Sequence, residues 1–189
     1  MRFEVALAVL VFSIMFPQFL TGCYEKSPRE LVLNDFESDS DLDRIDWNCR
    51  TLFFLSGEHV SAGRHSLGMK LFPAAYPGLS LKLTESNWSG YDLIALDIDN
   101  PQDEMLEIMV RIDDRPDYPD YEDRYNGCYT LLPGSNHLRI PLNSLRTSGT
   151  GRLLNLRSIS RFMFFMVDTQ AIYRFYVDHI RLINLTRPN

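Results

Sequence analysis

The segment from Asp113 to Tyr129 holds the densest set of side chains that could do chemistry. It contains Asp113, Asp114, Arg115, Asp117, Tyr118, Asp120, Tyr121, Glu122, Asp123, Arg124, Tyr125 and Tyr129. A sugar presents an apolar ring face and a rim of hydroxyl groups. An aromatic plane suits the ring face, and carboxylate and guanidinium groups suit the hydroxyls. We therefore predict a ligand-binding surface whose members are Asp113, Asp114, Tyr118, Tyr121 and Arg124.

The alternative for this acidic–tyrosine segment is a solvated loop whose tyrosines only cover one end of the fold. Pro116 and Pro119 restrict the segment and so lower the entropy cost of ordering it on a ligand. Trp88 could add a second aromatic platform beside the loop, whereas Trp47, close to Cys49, is interpreted as a core residue.

The same carboxyl groups could also act as a general acid and base on a glycosidic bond. That chemistry needs two carboxyl groups about 5–9.5 Å apart, one of them with a raised pKa. The sequence has no Gly-x-Ser-x-Gly elbow, no phosphate-binding loop and no Cys-x-x-Cys pair, and its four histidines lack metal-ligand spacing. We therefore predict that the protein is not an enzyme.

Length and charge restrict the function classes further. The chain has 189 residues, of which 45% are hydrophobic, and this is enough for one domain with its own core. It carries 25 acidic and 19 basic residues, with a formal net charge of −6. The absence of a basic stripe argues against nucleic acid as a partner.

The N-terminal segment has the pattern of a secretory signal. Arg2 precedes an apolar run that begins near Val5, and the run closes on Leu20-Thr21-Gly22-Cys23. This last tetrapeptide resembles the lipobox of bacterial lipoproteins. The resemblance implies that residues 1–22 are removed and that Cys23 carries a diacylglyceryl group, which anchors the protein to a membrane.

Two alternatives for this segment are a cleaved signal with a coincidental cysteine and an uncleaved membrane helix. Pro17 and Gln18 interrupt the apolar run, which leaves it shorter than the roughly 20 residues that span a bilayer. The lipobox resemblance places the protein in the cell envelope. Tyr24, where an Asp would favour the inner membrane, favours the outer membrane, with the domain on its periplasmic or surface side.

Alternation with a period of two dominates the chain after a short tether at 23–30. It predicts strands with one wet face at 67–71, 79–83, 94–98, 106–112 and 138–142, and two central strands, apolar on both faces, at 52–55 and 162–167. Pro- and Gly-containing turns separate them, and one helical turn is predicted near 142–145. Residues 31–185 are therefore predicted to form an all-β domain, an antiparallel β-sandwich.

Two details of the predicted sandwich stay open. Apolar residues change phase at Asp178-His179, which indicates either a β-bulge or an inward-pointing Asp178 that needs a partner such as a bound cation. Cys49 and Cys128 either form a disulfide or remain free and pack as small apolar side chains.

Five segments together resemble the galactose-binding-like jelly roll of many carbohydrate-binding modules. They are 34–37 (Asn-Asp-Phe-Glu), 61–67 (Ser-Ala-Gly-Arg-His-Ser-Leu), 88–92 (Trp-Ser-Gly-Tyr-Asp), 132–136 (Leu-Pro-Gly-Ser-Asn) and 176–182 (Tyr-Val-Asp-His-Ile-Arg-Leu). The resemblance implies a jelly roll that binds carbohydrate, such as an envelope glycan, without cleaving it.

The same resemblance implies a structural calcium that joins the first and last strands. Its side-chain ligands would be Glu37 and Asp178, with carbonyl oxygens from the 61–65 turn, a donor set that suits a hard cation. The alternative is that both carboxylates bond to backbone amides or to arginine.

A different function on the same fold is also open. The jelly roll occurs in an assembly-factor family associated with respiratory complex I, for which no sugar ligand is implied. Under that alternative the domain is a protein-interaction module whose partner is an envelope protein.

Overall fold

The computed structural model describes residues 29–185, which form two antiparallel β-sheets packed as a sandwich. The strands are β1 (Arg29–Asn34), β2 (Ile45–Cys49), β3 (Thr51–Ser56), β4 (Ser66–Leu71), β5 (Gly78–Leu81), β6 (Leu93–Asn100), β7 (Leu106–Asp113), β8 (Tyr125–Leu131), β9 (Gly134–Pro141), β10 (Arg161–Phe165) and β11 (Tyr173–Asn184). The helical elements are a single turn, α1 (Asp39–Leu42), and 3-10 turns at Tyr121–Asp123 and Leu142–Ser144. The predicted all-β antiparallel sandwich is confirmed. The predicted signal segment 1–22 and the lipidation residue Cys23 lie outside the described residues.

The two sheets differ in strand order. The six-stranded sheet runs β3-β4-β11-β6-β9, and β1 pairs with the second half of β11. The five-stranded sheet runs β2-β5-β10-β7-β8. β1 begins at Arg29, so the first strand includes the last two residues of the predicted tether.

The core lies between the sheets and is filled by alternate residues of the strands. In β10 it takes Phe162 and Phe164, and in β7 it takes Ile108, Val110 and Ile112, all fully buried. Each such side chain contributes roughly 1.5–3 kcal/mol through burial. Because side chains alternate across a sheet, the residues between these positions lie on its outer face.

The two predicted central strands have different outcomes. β10 lies between β5 and β7, as predicted. β3 is an edge strand instead, and Leu52 and Phe54 are exposed on it. The Phe54 ring lies over Gly68 of β4, where a β-carbon would be 2.5 Å from it. A glycine on the neighbouring strand therefore accommodates an aromatic side chain that the sequence pattern assigns to the interior.

A β-bulge explains the phase change in β11. The register of β11 against β6 shifts between Asp178 and Arg181, and His179 has a φ of 47°. Val177 before the bulge and Ile180 after it both reach the core. Asp178 stays in the phase of the outer face, opposite Asp97 of β6.

Cys49 and Cys128 are both free. They lie on β2 and β8, the two edges of the five-stranded sheet, on a shared row through Gly78, Phe165 and Met109. Four strand spacings separate them by about 19 Å, far beyond the reach of a disulfide. Within residues 29–185, no helix has the length and apolar character that a bilayer span requires.

Candidate functional site

The outer face of the five-stranded sheet carries a row of side chains that runs across all five strands. Pairing between neighbours places Trp47, Ser80, Met163, Arg111 and Asn126 side by side. Ser80, Met163 and Arg111 alternate with core residues along their strands, so this row faces away from the sandwich interior. The row joins one aromatic ring, one guanidinium and one amide on a single surface.

A groove of about 470 Å³ lies on this face. It is lined by Trp47, Tyr76, Met109, Arg111, Tyr121, Arg124, Asn126, Met163, Phe165 and Val167. Trp47, Tyr76 and Tyr121 remain 39%, 57% and 59% exposed, so three aromatic side chains are open to solvent at this groove. We call this surface the aromatic groove.

The base of the aromatic groove depends on close approach of two strands. Gly78 of β5 pairs with Phe165 of β10, and a β-carbon on Gly78 would lie 2.3 Å from the Phe165 Cβ. Tyr76 meets the Phe165 ring edge-on, with the ring centroids 6.0 Å apart. Any side chain at residue 78 would displace Phe165, and Tyr76 with it.

One end of the aromatic groove is built on a buried aspartate. Asp113 has no exposed surface, and its carboxylate accepts hydrogen bonds from Arg111 Nε at 2.8 Å and Nη2 at 2.6 Å. Arg161 Nη1 donates to the same carboxylate at 2.6 Å. Two arginines therefore hold the buried Asp113 carboxylate, and the structure gives it protein partners in place of the sugar hydroxyls predicted from the sequence.

Asp114 is likewise a structural anchor. Arg152 donates to both of its carboxylate oxygens, at 2.6 and 3.0 Å, and the Asn155 amide donates at 2.6 Å. Burial raises the pKa of Asp114, but the hydrogen bonds from Arg152 and Asn155 outweigh it and the pKa falls below its ordinary value. In place of the ligand predicted from the sequence, donors of the protein bond both oxygen atoms of Asp114.

The remaining predicted loop residues divide between two cavities. Tyr121 and Arg124 line the aromatic groove, and the Arg124 guanidinium lies 5.5 Å from the Tyr121 ring centroid. Tyr118, 76% exposed, instead lines a separate cavity of about 280 Å³ with Asp117 and Asp120 among its neighbours. Its ring stacks on the Arg161 guanidinium, 4.0 Å away.

Arg124 differs from the other arginines at this end of the sheet. Within residues 29–185 no carboxylate pairs with it, and its Nε atom is buried without a hydrogen-bond partner. Burial lowers the pKa of Arg124, and the charge of Arg111 lowers it further, with partial compensation from Asp113. Arg124 is thus a cation in the aromatic groove that this part of the chain does not neutralise.

The two tryptophans have exchanged their expected places. Trp88, predicted as a platform, is fully buried: its Nε1 donates to the Glu85 carbonyl at 2.9 Å and its ring packs 6.3 Å from Phe162. Trp47, interpreted as core, lines the aromatic groove. The cause is a register shift between Ile45 and Trp47, which gives Ile45 an inward partner and turns Trp47 outward.

The predicted calcium ligands do not fit a metal. Glu37 Oε1 accepts from the amides of Arg64 at 2.8 Å and His65 at 3.0 Å, and these hydrogen bonds lower the pKa of Glu37. Asp178 Oδ2 accepts from the amides of Ser61 at 2.7 Å and Ala62 at 2.9 Å. The 61–65 turn therefore presents N–H donors where a cation needs oxygen atoms.

No set of three or more acidic, histidine or cysteine side chains in residues 29–185 is placed to hold a metal ion. The alternative in which Glu37 and Asp178 bond to backbone amides matches the geometry.

The outer face of the six-stranded sheet carries a second cavity, of about 280 Å³. We call its polar side chains the polar cluster, which consists of His59, Ser61, Asp97, Asp99, Ser135 and His137. Asp97 accepts from His137 at 2.8 Å and from Ser61 at 3.0 Å. Asp99 lies 2.8 Å from His59 Nδ1 and accepts from Ser135 at 2.9 Å. Each carboxylate of this cluster has donors from the protein.

Comparisons with known proteins agree with this fold. No family model and no curated protein matches the sequence. A family 11 carbohydrate-binding module from Clostridium thermocellum, solved with a β-1,3-1,4-mixed-linked tetrasaccharide, aligns at a TM-score of 0.65 and 19% identity over 84% of this chain and 98% of that one.

Two further solved structures share the architecture. A xylan-binding domain of family 22 aligns at a TM-score of 0.53 and 14% identity over 82% of this chain and 96% of that one. An exo-β-agarase aligns at a TM-score of 0.61 and 15% identity. The alignment covers 84% of this chain and 25% of the enzyme. The chain from 29 to 185 therefore has the jelly-roll fold of carbohydrate-binding modules.

Proposed function

We propose that the β-sandwich binds carbohydrate without cleaving it, through the aromatic groove. The observation that carries this proposal is the exposure of Trp47, Tyr76 and Tyr121 around one groove on an outer sheet face. Apolar ring faces of sugars stack on such side chains, and guanidinium and amide groups of the same lining can bond to hydroxyls. Carbohydrate-binding modules with the same fold give this proposal independent support.

The chemistry of the lining suits binding rather than hydrolysis. Glycoside hydrolysis needs a carboxylic acid with a raised pKa beside a second carboxylate. Asp113 and Asp114, the carboxyl groups predicted for the site, are held by arginines, and the pKa of Asp114 is lowered. Rings, an amide and guanidinium groups provide contact area and orientation without acid–base chemistry.

The test is a glycan array followed by titration of hits, with the full-length protein in detergent. We expect Trp47→Ala to weaken binding at least about 30-fold, because a central aromatic contact commonly contributes about 2 kcal/mol. Leu52→Ala is the matched control, since Leu52 is an exposed apolar residue on the opposite sheet. Equal binding by wild type and Trp47→Ala would overturn the assignment of the groove.

We further propose that the full chain is an envelope lipoprotein with its lipid anchor on Cys23. The tetrapeptide Leu20-Thr21-Gly22-Cys23 supports this proposal, and the domain would then face the periplasm or the cell surface, at the outer membrane. Labelling with a palmitate analogue in cells tests it. Wild type should take up label and enter the membrane fraction, and Cys23→Ala should do neither.

A further inference from the structure

The aromatic groove has an excess of positive charge at one end. Three guanidinium groups, those of Arg111, Arg124 and Arg161, surround a single buried carboxylate, that of Asp113. Arg111 and Arg161 bind that carboxylate, which leaves Arg124 without a counter-charge. A protein with a formal net charge of −6 thus keeps a local positive site on its candidate binding surface.

Holding Arg124 in this state costs free energy. Its Nε atom is buried without a hydrogen-bond partner, and its charge faces that of Arg111. Partly desolvated charges are stable when an opposite charge pairs with them, and no carboxylate among the described residues forms an ion pair with Arg124. A ligand anion that approaches the guanidinium from the groove would provide the counter-charge.

The nearby acidic side chains do not fill this role. Asp117 and Asp120 line the separate cavity beside Tyr118. Asp123 is engaged by Arg152 and by Arg115, with N···O distances of 2.9 and 2.6 Å. The positive charge of Arg124 is therefore directed to the groove rather than to its own loop.

The opposite end of the aromatic groove has the opposite charge. Met109 and Val167 also line an adjoining cavity of about 260 Å³, where Glu104 and Glu107 are exposed. These carboxylates disfavour an anion at that end. The groove consequently has a direction, from a basic half at Arg124 to an acidic half at Glu104 and Glu107.

We infer that the Arg124 half of the aromatic groove binds the anionic group of an acidic sugar unit, either a uronate carboxylate or a sulfate ester. This inference rests on the proposed function and names the class of its ligand. The sugar ring that carries the anionic substituent stacks at Tyr76, which lies within electrostatic reach of Arg124, while the substituent pairs with the Arg124 guanidinium. Both anions offer the paired oxygen acceptors that a guanidinium fork binds.

The experiment compares three hexasaccharides on the full-length protein in detergent: a polygalacturonate, a sulfated galactan and a neutral β-1,3-1,4-glucan. At low salt we expect at least one acidic ligand to bind about tenfold more tightly than the neutral one. This preference should shrink as sodium chloride is added, because salt screens the ion pair. Which acidic ligand binds identifies the anion as carboxylate or sulfate.

Arg124→Gln tests the residue. The variant should lose the preference for acidic ligands and keep its affinity for the neutral one within about threefold, since no carboxylate is left unpaired by the change. Arg157→Gln is the matched control, because Arg157 is exposed and does not line the groove. It removes the same charge and should leave the preference unchanged.

Three outcomes separate this inference from the proposed function. Equal affinity of wild type for acidic and neutral ligands overturns the inference and leaves carbohydrate binding in place. The same holds when Arg124→Gln keeps the full preference. Failure of all three hexasaccharides and of the glycan array to bind folded protein overturns both.

Discussion

The aromatic groove and the polar cluster occupy the outer faces of the two opposite sheets, and both are indentations lined by side chains that could hold a ligand. In the polar cluster, Asp97 accepts hydrogen bonds from His137, Arg181 and Ser61. In the aromatic groove, the Arg124 guanidinium has no carboxylate partner among residues 29–185 and three aromatic side chains are exposed.

This difference indicates how to separate a binding surface from a structural one in a sandwich of this kind. A dense set of charged residues is not by itself a site, because the fold can pair them with each other, as it pairs Asp97 with His137 and Arg181. What distinguishes the aromatic groove is a guanidinium without a carboxylate partner next to three exposed aromatic side chains. Substitutions in the polar cluster should therefore affect stability, and substitutions in the aromatic groove should affect binding.

The two tryptophans give the largest expected contrast. Trp88→Ala removes a fully buried ring that packs on Phe162, and we expect the free energy of unfolding to fall by about 3–5 kcal/mol. Trp47→Ala should change it by less than about 1 kcal/mol, because Trp47 is an exposed edge-strand residue. Urea unfolding of both variants measures the contrast, and equal losses would show that Trp47 is part of the core.

Asp178→Ala is expected to be the next most damaging change. The carboxylate accepts from the amides of Ser61, Ala62 and His179, and its removal leaves these donors without acceptors on the outer face of β11. We expect a loss of about 3 kcal/mol, and a Tm lower by about 10 °C. Glycan binding per folded molecule should not change.

Asp103→Ala is the matched control for this variant, because Asp103 is an exposed loop residue. It should unfold at the wild-type temperature. A normal Tm for Asp178→Ala would contradict the structural role assigned to this part of the outer face.

The strands could be predicted from the sequence because burial of one sheet face makes apolar and polar residues alternate with a period of two. That signal placed β4, β6 and β7 correctly, and the continuous apolar run at 162–167 located β10. The interpretation of Trp47 as a core residue failed because the sequence does not show a bulge: Ile45 and Trp47 share one phase of the alternation, and the register shift between them puts only Trp47 outside.

The site was harder to predict from the sequence because its ion pairs join residues that are far apart in the chain. Asp113 looks available for a ligand until Arg161, 48 residues later, is seen to donate to it. Asp114 is held by Arg152, 38 residues away. Composition singled out the loop that supplies Tyr121 and Arg124 to the aromatic groove. It carries no information about which charges the fold will neutralise, and so did not separate Arg124 from Asp113.

Acid titration tests the polar cluster with a smaller effect. Burial raises the pKa of Asp97, but hydrogen bonds from His137, Arg181 and Ser61 lower it by a larger amount. The folded pKa therefore lies below the ordinary value of 3.8. A carboxyl with a depressed folded pKa contributes stability above its unfolded pKa and loses it as the pH falls through the folded one. Stability from Asp97 should therefore be present at pH 7 and decline below about pH 4.

Asp97→Asn should remove this contribution. We expect the variant to be about 1–2 kcal/mol less stable at pH 7 and to lose less stability than wild type between pH 5 and pH 3. Urea unfolding at these pH values measures both, with Asp103→Asn as the exposed control. Parallel pH profiles for wild type and Asp97→Asn would show that Asp97 is not charge-coupled to its neighbours.

Calcium gives the smallest expected effect and bears on the same face of the sandwich. A metal that binds only the folded state raises stability by mass action, by about 2.7 kcal/mol when its concentration is 100 times its Kd. Here Glu37 Oε1 and Asp178 Oδ2 already accept amide hydrogen bonds from the 61–65 turn, so a calcium ion that used these oxygen atoms would have to displace several hydrogen bonds. We therefore expect the Tm in 5 mM calcium chloride and in 5 mM EDTA to agree within about 1 °C. A calcium-dependent rise in Tm of several degrees, abolished in Glu37→Gln, would contradict this expectation. It would mean that the turn inverts to present its carbonyl oxygens and that this face of the sandwich also binds a ligand.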